Sequence, residues 1–162
     1  MTDSDPAGEA DPTRVVADAD VLAADLLVGG PAREALDCVR EHSWMTLVAS
    51  DDLLAEAAAV VADLTDPDLA ADWRERADRE REAVDHPPGD HPGLASAYRG
   101  RAAHLLTSDE GLASAGANLS LQPHLQVSIR PPDAFARLFD PGALYEATHD
   151  GAYPGPDRDP RG

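Results

Sequence analysis

Arg14-Val-Val-Ala-Asp-Ala-Asp-Val-Leu-Ala-Ala-Asp-Leu-Leu-Val28 decides the fold. Residues 14–17 are a short, mostly apolar run of the kind that fills a buried strand. Asp18-Ala-Asp20 follows, and residues 21–28 suit a helix. A strand that passes at once into a helix opens a strand–helix–strand unit.

The same alternation continues outward. Gly29-Gly30-Pro31 breaks the first helix, and Pro31 begins a second that runs to about residue 41 with Ala35, Leu36 and Val39 apolar. Trp44-Met-Thr-Leu-Val-Ala49 reads as the second strand. Ser50 then caps a helix that runs to about residue 64, with Asp51 and Asp52 in its first turn. Asp66-Pro67 turns into a charged helix over 68–84, where Asp72–Arg76 and Glu75–Arg79 are spaced for i,i+4 pairing. That helix reads either as a solvated face held by ion pairs or as an arginine patch facing a substrate.

Pro87-Pro88-Gly89 ends it, and Asp90-His91-Pro92 opens another helix with Asp90 at or near its N-cap. Residues 103–107 form a third strand, 112–117 a short helix and 125–129 a further strand. Pro131-Pro132 leads to a last short helix over 133–139. Strands interleaved with helices predict an α/β fold, a three-layer sandwich around a mostly parallel sheet. The folded unit is expected over 14–139, between a disordered acidic arm at 1–13 and a disordered Pro/Gly/Asp-rich tail at 140–162.

The chain has 162 residues, enough for one domain with its own core. It carries 22 Asp and 9 Glu against 13 Arg and no Lys, for a formal charge of −18. Self-repulsion of that size opposes compaction unless salt screens it, and at 1 M salt the screening length is only about 3 Å. The composition predicts a salt-rich cytoplasm of the halophilic archaeal kind; the alternative is an acidic protein from a GC-rich genome. On the first reading the acidic surface reports habitat and does not exclude nucleic acid. The single cysteine, Cys38, rules out an internal disulfide and a multi-Cys metal site, and its apolar helical neighbours suit a small core residue. No signal pattern or membrane-spanning apolar run is visible, so a cytoplasmic protein is expected.

Four acids stand out by position: Asp18 after the first strand, Glu56 inside an apolar helix, Asp90 at a helix start, and Asp109 after the third strand. In parallel sheets, ligands bind beyond the carboxyl ends of the strands. Like charges gathered there need a neutralising partner, and Mg²⁺ or Mn²⁺ takes hard oxygen ligands. Two such ions about 3.5–4 Å apart can activate water and stabilise the leaving oxygen of a phosphodiester. Asp18, Asp90 and Asp109 also suit helix caps, and Glu56 a solvent-facing position. His91 adjoins Asp90 and could take part in a site, whereas His104 falls in a strand and reads as structural.

Val15-Val-Ala-Asp-Ala-Asp-Val-Leu22 resembles the opening of PIN domains, where an apolar strand runs into Asp-Thr-Asn-Val-Leu. Ser50-Asp-Asp-Leu-Leu-Ala-Glu56 is similar to that family's Ser-Pro-x-Leu-x-x-Glu helix, and Asp90 followed by Leu105-Leu-Thr-Ser-Asp109 to its Asp…Leu-Val-Thr-x-Asp segment. Pro131-Pro-Asp-Ala-Phe135 is similar to its closing turn. The resemblance implies a PIN-like fold and a metal-dependent endoribonuclease cleaving single-stranded RNA, in RNA processing or as a toxin with an antitoxin partner. It implies Asp18, Glu56, Asp90 and Asp109 as catalytic metal ligands for Mg²⁺ or Mn²⁺. Asp20 stands where the family has Asn and would be an additional ligand or shift the local charge. Thr107, Ser108, Arg99 and Arg101 are expected to contact substrate. The alternative is a catalytically inactive PIN-like module for protein interaction or homodimerisation.

Overall fold

The computed structural model describes residues 10–87, 91–109 and 127–160. Val15, Val16 and Ala17 lie at the centre of the molecule, at most 1% exposed. Apolar residues in succession are what a strand covered on both faces requires. This strand is β1 (Asp11–Ala17), followed by β2 (Thr46–Ser50), β3 (Arg81–Val84), β4 (Ala102–Leu106) and β5 (Ser128–Arg130). All pair in parallel, in the order β3-β2-β1-β4-β5. The described helices are α1 (Ala19–Leu27), α2 (Gly30–Arg40), α3 (Asp51–Leu64), α4 (Pro67–Glu80), α5 (Pro92–Arg99), α6 (Pro132–Leu138) and α7 (Pro141–Thr148). The result is a three-layer α/β sandwich on an all-parallel sheet, as the alternation of strands and helices predicts.

The strand order fixes where a ligand would bind. The chain starts in the middle at β1, moves out through β2 to β3, then returns past its origin to place β4 beside β1. β1 and β4 therefore flank the point where the winding reverses, and their carboxyl ends border the crevice of an open parallel sheet.

The core is aliphatic, built on Leu36, Leu53, Leu54, Leu105 and Leu106 with Val15, Val16, Val21 and Val48, all nearly inaccessible to solvent. α1 packs on α2 and α3, α3 packs on α4, and α5 lies across β4, β2 and β1. Ser50 caps α3 as its spacing predicts, its Oγ accepting from Leu53 N at 3.1 Å. At the far end of α5, Gly100 allows a close approach: a Cβ there would stand 2.4 Å from Val48 Cγ1. Cys38 packs against the core, and burial, then Glu41 and Asp37, push its thiol up to about 11.

Four elements differ from the sequence reading. The charged helix stops at Glu80, and Arg81–Val84 forms the edge strand β3 along Leu47–Ser50. Arg81 anchors that turn by donating to Ala49 O at 3.0 Å. The i,i+4 pairs on α4 join Arg74 to Asp78 and Arg76 to Glu80, so Arg76 reaches forward to Glu80, not back to Asp72. The acidic arm does not reach residue 13, because β1 already begins at Asp11, whose N–H donates to Arg101 O. The expected tail at 140–162 is built into the molecule: Pro141–Thr148 is α7, and the chain beyond it docks. His42 explains the docking. Its ring lies against Trp44, Phe139 and Tyr153, and its Nε2 is 2.6 Å from the Tyr153 hydroxyl. Glu41 O then accepts from Asp157 N and Arg158 N. The expected helix at 112–117 and residue Asp90 lie outside the described residues. No described helix is long and apolar enough to cross a membrane.

Candidate functional site

Parallel pairing of β1 with β4 brings Ala17 opposite Leu106, so the residues that follow each strand also meet. Asp18 N donates to Leu106 O at 2.8 Å, extending the ladder by one step. Asp18 is 7% exposed and is the N-cap of α1. One carboxylate oxygen, Oδ1, accepts from Ala19 N at 3.0 Å, and the other, Oδ2, accepts from the Thr107 hydroxyl at 3.1 Å. Thr107, 1% exposed, links three elements: its Oγ1 also accepts from Asp109 N at 3.1 Å, and its own N–H donates to Arg130 O.

Asp20 reaches the same crevice from the first turn of α1. Its Oδ2 accepts from Ser108 N at 2.9 Å and its Oδ1 from Val21 N at 2.8 Å. Burial is the largest influence on its carboxyl and holds it above the ordinary value. The Ser108 N–H opposes that rise, while the charges of Asp18 and Asp109 add to it. Asp20 thus feels Asp18 and Asp109 as like charges. Asp109 itself is exposed on the turn after β4.

The amino end of α5 closes the third side. His91, not Asp90, is the N-cap of that helix, its Nδ1 accepting from Leu94 N at 3.3 Å. The acceptor role puts the ring proton on Nε2, which lies 3.9 Å from Asp18 Oδ2. Gly93 lets the helix approach: a Cβ at that position would stand 2.9 Å from Asp18 Oδ1. The sequence reading missed Gly93, because a glycine in a first helical turn carries no signal until the opposing carboxylate is known. It also missed Arg130, which ends β5 at this same edge of the sheet.

Other expected residues make no described hydrogen bond to this group. Glu56 is exposed on α3, and the contacts joining Asp18, Asp20, Thr107, Ser108 and Asp109 do not include it. Arg99 and Arg101 are exposed at the turn between α5 and β4, the opposite end of the strand from Thr107, so neither adjoins Asp18. Arg101 has a left-handed φ of 55°, and its carbonyl serves β1. His104 is half-buried in β4 and meets Phe135 edge-on, a structural position.

The donor set is hard: carboxylate oxygens and a hydroxyl, the kind Mg²⁺ and Mn²⁺ accept. The crowding felt by Asp20 is the repulsion a cation would relieve. Among the described residues, no three His, Cys, Asp or Glu side chains converge tightly enough to cage an ion.

Comparison with curated proteins and with solved structures returns no match. Residues 9–161 match a family of unknown function, DUF7384, over a span that takes in every strand and helix described above. The chain belongs to DUF7384.

Proposed function

We propose that this chain is a metal-dependent, PIN-like endoribonuclease acting on single-stranded RNA. The observation that carries the reading is the meeting of Asp18 and Asp20 with Thr107, Ser108 and Asp109 where the winding of the sheet reverses. The order of motifs along the chain supports it, as does the family likeness of Val15–Leu22 and Leu105–Asp109.

In this reading Asp18, Asp20 and Asp109 hold the cation. Thr107 orients Asp18 through its hydroxyl, and the Ser108 N–H orients Asp20. Orienting partners of this kind contribute about 10–100-fold to metal affinity or activity. A divalent cation bound there would supply activation of water and stabilisation of the leaving oxygen of a phosphodiester. Glu56 and Asp90 complete the set implied by the resemblance. Whether the reaction serves RNA processing or a toxin paired with an antitoxin depends on the substrate, and the same site chemistry serves both.

The test is RNA cleavage at multimolar KCl with added Mg²⁺ or Mn²⁺. Activity is expected to vanish with EDTA and to fall at least about a hundredfold in Asp18→Asn. Cleavage that survives in an Asp18→Asn/Asp109→Asn double variant sinks the reading.

A second reading has an observation of its own. Asp18 and Asp20 already accept backbone N–H groups at the start of α1, Asp18 as its N-cap and Asp20 within its first turn, so both have partners in the chain itself. On that basis the chain is an inactive PIN-like module for protein interaction or homodimerisation. Calorimetry with MnCl₂ separates the two: heat of binding and a thermal shift favour the enzyme, and neither favours the module.

A further inference from the structure

At the end of the sheet away from Asp18, a cleft of about 350 Å³ opens between the starts of β2 and β3, the last turns of α2 and α4, and residues 158–160. Arg40, Arg79, Arg81 and Arg158 line it, four of the 13 arginines in a chain of formal charge −18. Its acids are Glu80, Glu82 and Asp159. Two of these are held by arginines from outside the lining: Arg76 pairs with Glu80, and Arg14 pairs with Glu82. Two of the lining arginines are also committed. Arg40 grips Asp25 through both terminal nitrogens, and Arg81 pairs with Asp51 and Asp78.

That distribution leaves guanidinium capacity pointing into the cleft. Arg79 is exposed in the last turn of α4. Arg158 spends one nitrogen on His42 O at 3.0 Å, which fixes the side chain and leaves further donors. Arg40 Nε is buried with no partner in the protein. Val39, Met45 and Leu47 add an apolar stretch to the lining, and Ser43 and Thr46 add hydroxyls. The volume lies at the small end of the roughly 300–1,000 Å³ typical of ligand pockets.

We propose that this cleft binds an organic phosphate monoester of about mononucleotide size. Arg79 and Arg158 take the phosphate, since two planar forks match a dianion with three acceptor oxygens. The organic body lies along Val39, Met45 and Leu47. The site is independent of the carboxylate group and does not rest on the nuclease reading.

The experiment is calorimetric titration of the full chain with AMP and with inorganic phosphate, at fixed molar KCl and with EDTA present. AMP is expected to bind saturably and at least tenfold more tightly than phosphate. Arg79→Gln/Arg158→Gln is expected to weaken AMP at least tenfold. Asp18→Asn, at the other end of the sheet, is expected to leave it unchanged. Absence of binding by both probes overturns the proposal. So does equal affinity for the two probes, which removes the role of the apolar lining. If Arg79 serves only the negative end of the α4 dipole, the double variant melts earlier yet keeps its AMP affinity, and the proposal fails.

Discussion

The two ends of the sheet treat their charges in opposite ways. At the carboxyl end, Asp18 and Asp20 are met by backbone N–H groups, a hydroxyl and an imidazole. At the amino end, carboxylates are met by guanidinium groups: Asp25 by Arg40 and Arg33, Glu82 by Arg14, Glu80 by Arg76. The difference is between acids paired with guanidinium cations and acids held by N–H groups, a hydroxyl and an imidazole. Ordinary charge counting cannot separate the two, since both kinds sit among 31 acids.

The largest expected effect breaks the amino-end pairing. The Asp25 and Arg40 side chains are 8% and 16% exposed, joined at 2.6 Å and 3.0 Å. Arg40→Leu leaves Asp25 with only Arg33, whose Nε is 3.8 Å away. Removing one partner of a buried pair costs about 3–5 kcal/mol, and urea denaturation should read a loss near the lower figure. A loss below about 1 kcal/mol would erase the contrast between the two ends.

The next effect uses α5, which has one glycine at each end of the sheet. Gly100→Ala drives a methyl into Val48 and should cost about 1–3 kcal/mol by denaturation. Gly93→Ala instead presses on Asp18 Oδ1, so its effect should appear mainly in Mn²⁺ affinity. Equal stability losses with unchanged Mn²⁺ binding would show that Asp18 is only a cap.

A smaller effect is read in pH. Burial, and then Arg130, holds the His104 imidazole below its ordinary 6.5. The unfolded chain takes up that proton near pH 6.5 while the folded chain resists. The stability this gives is therefore complete above pH 6.5 and is lost as the pH falls through the folded value. His104→Gln should melt with a shallower decline below pH 6.5 than the parent chain.

The smallest effect returns to the carboxyl end. Asp20 is crowded by Asp18 and Asp109, so Asp20→Asn should raise stability by about 0.5 kcal/mol in EDTA, the scale of a partly exposed charge interaction. The same variant should gain less than the parent from added Mn²⁺. A gain that ion addition leaves unchanged in both proteins would merge the two ends into one electrostatic class.

Much of the architecture is legible in the chain because short apolar runs such as Val15-Val16-Ala17, each passing into a helical pattern, suit buried strands of a parallel sheet. β3 is not legible: Arg81-Glu-Ala-Val84 continues the charged helical pattern, and only the free edge of β2 makes it a strand. The C-terminal segment misleads for the converse reason. Its Pro and Gly content suggests disorder, while Tyr145 and Tyr153 find ring partners at Trp44 and His42, residues more than a hundred positions away. At the candidate site, the positions next to strand ends are legible because strand adjacency brings Asp18 and Thr107 together. The exposure of Glu56 on α3 and the placement of Arg99 and Arg101 depend on helix phase and chain direction, which composition does not encode.

The lone thiol has a practical consequence. With its proton held until about pH 11, Cys38 offers at pH 8 about one thiolate per thousand molecules. Maleimides and iodoacetamide consume that form, so the native protein should resist labelling and be stored without reductant. A cysteine introduced elsewhere on the surface would then accept a dye or spin probe almost alone.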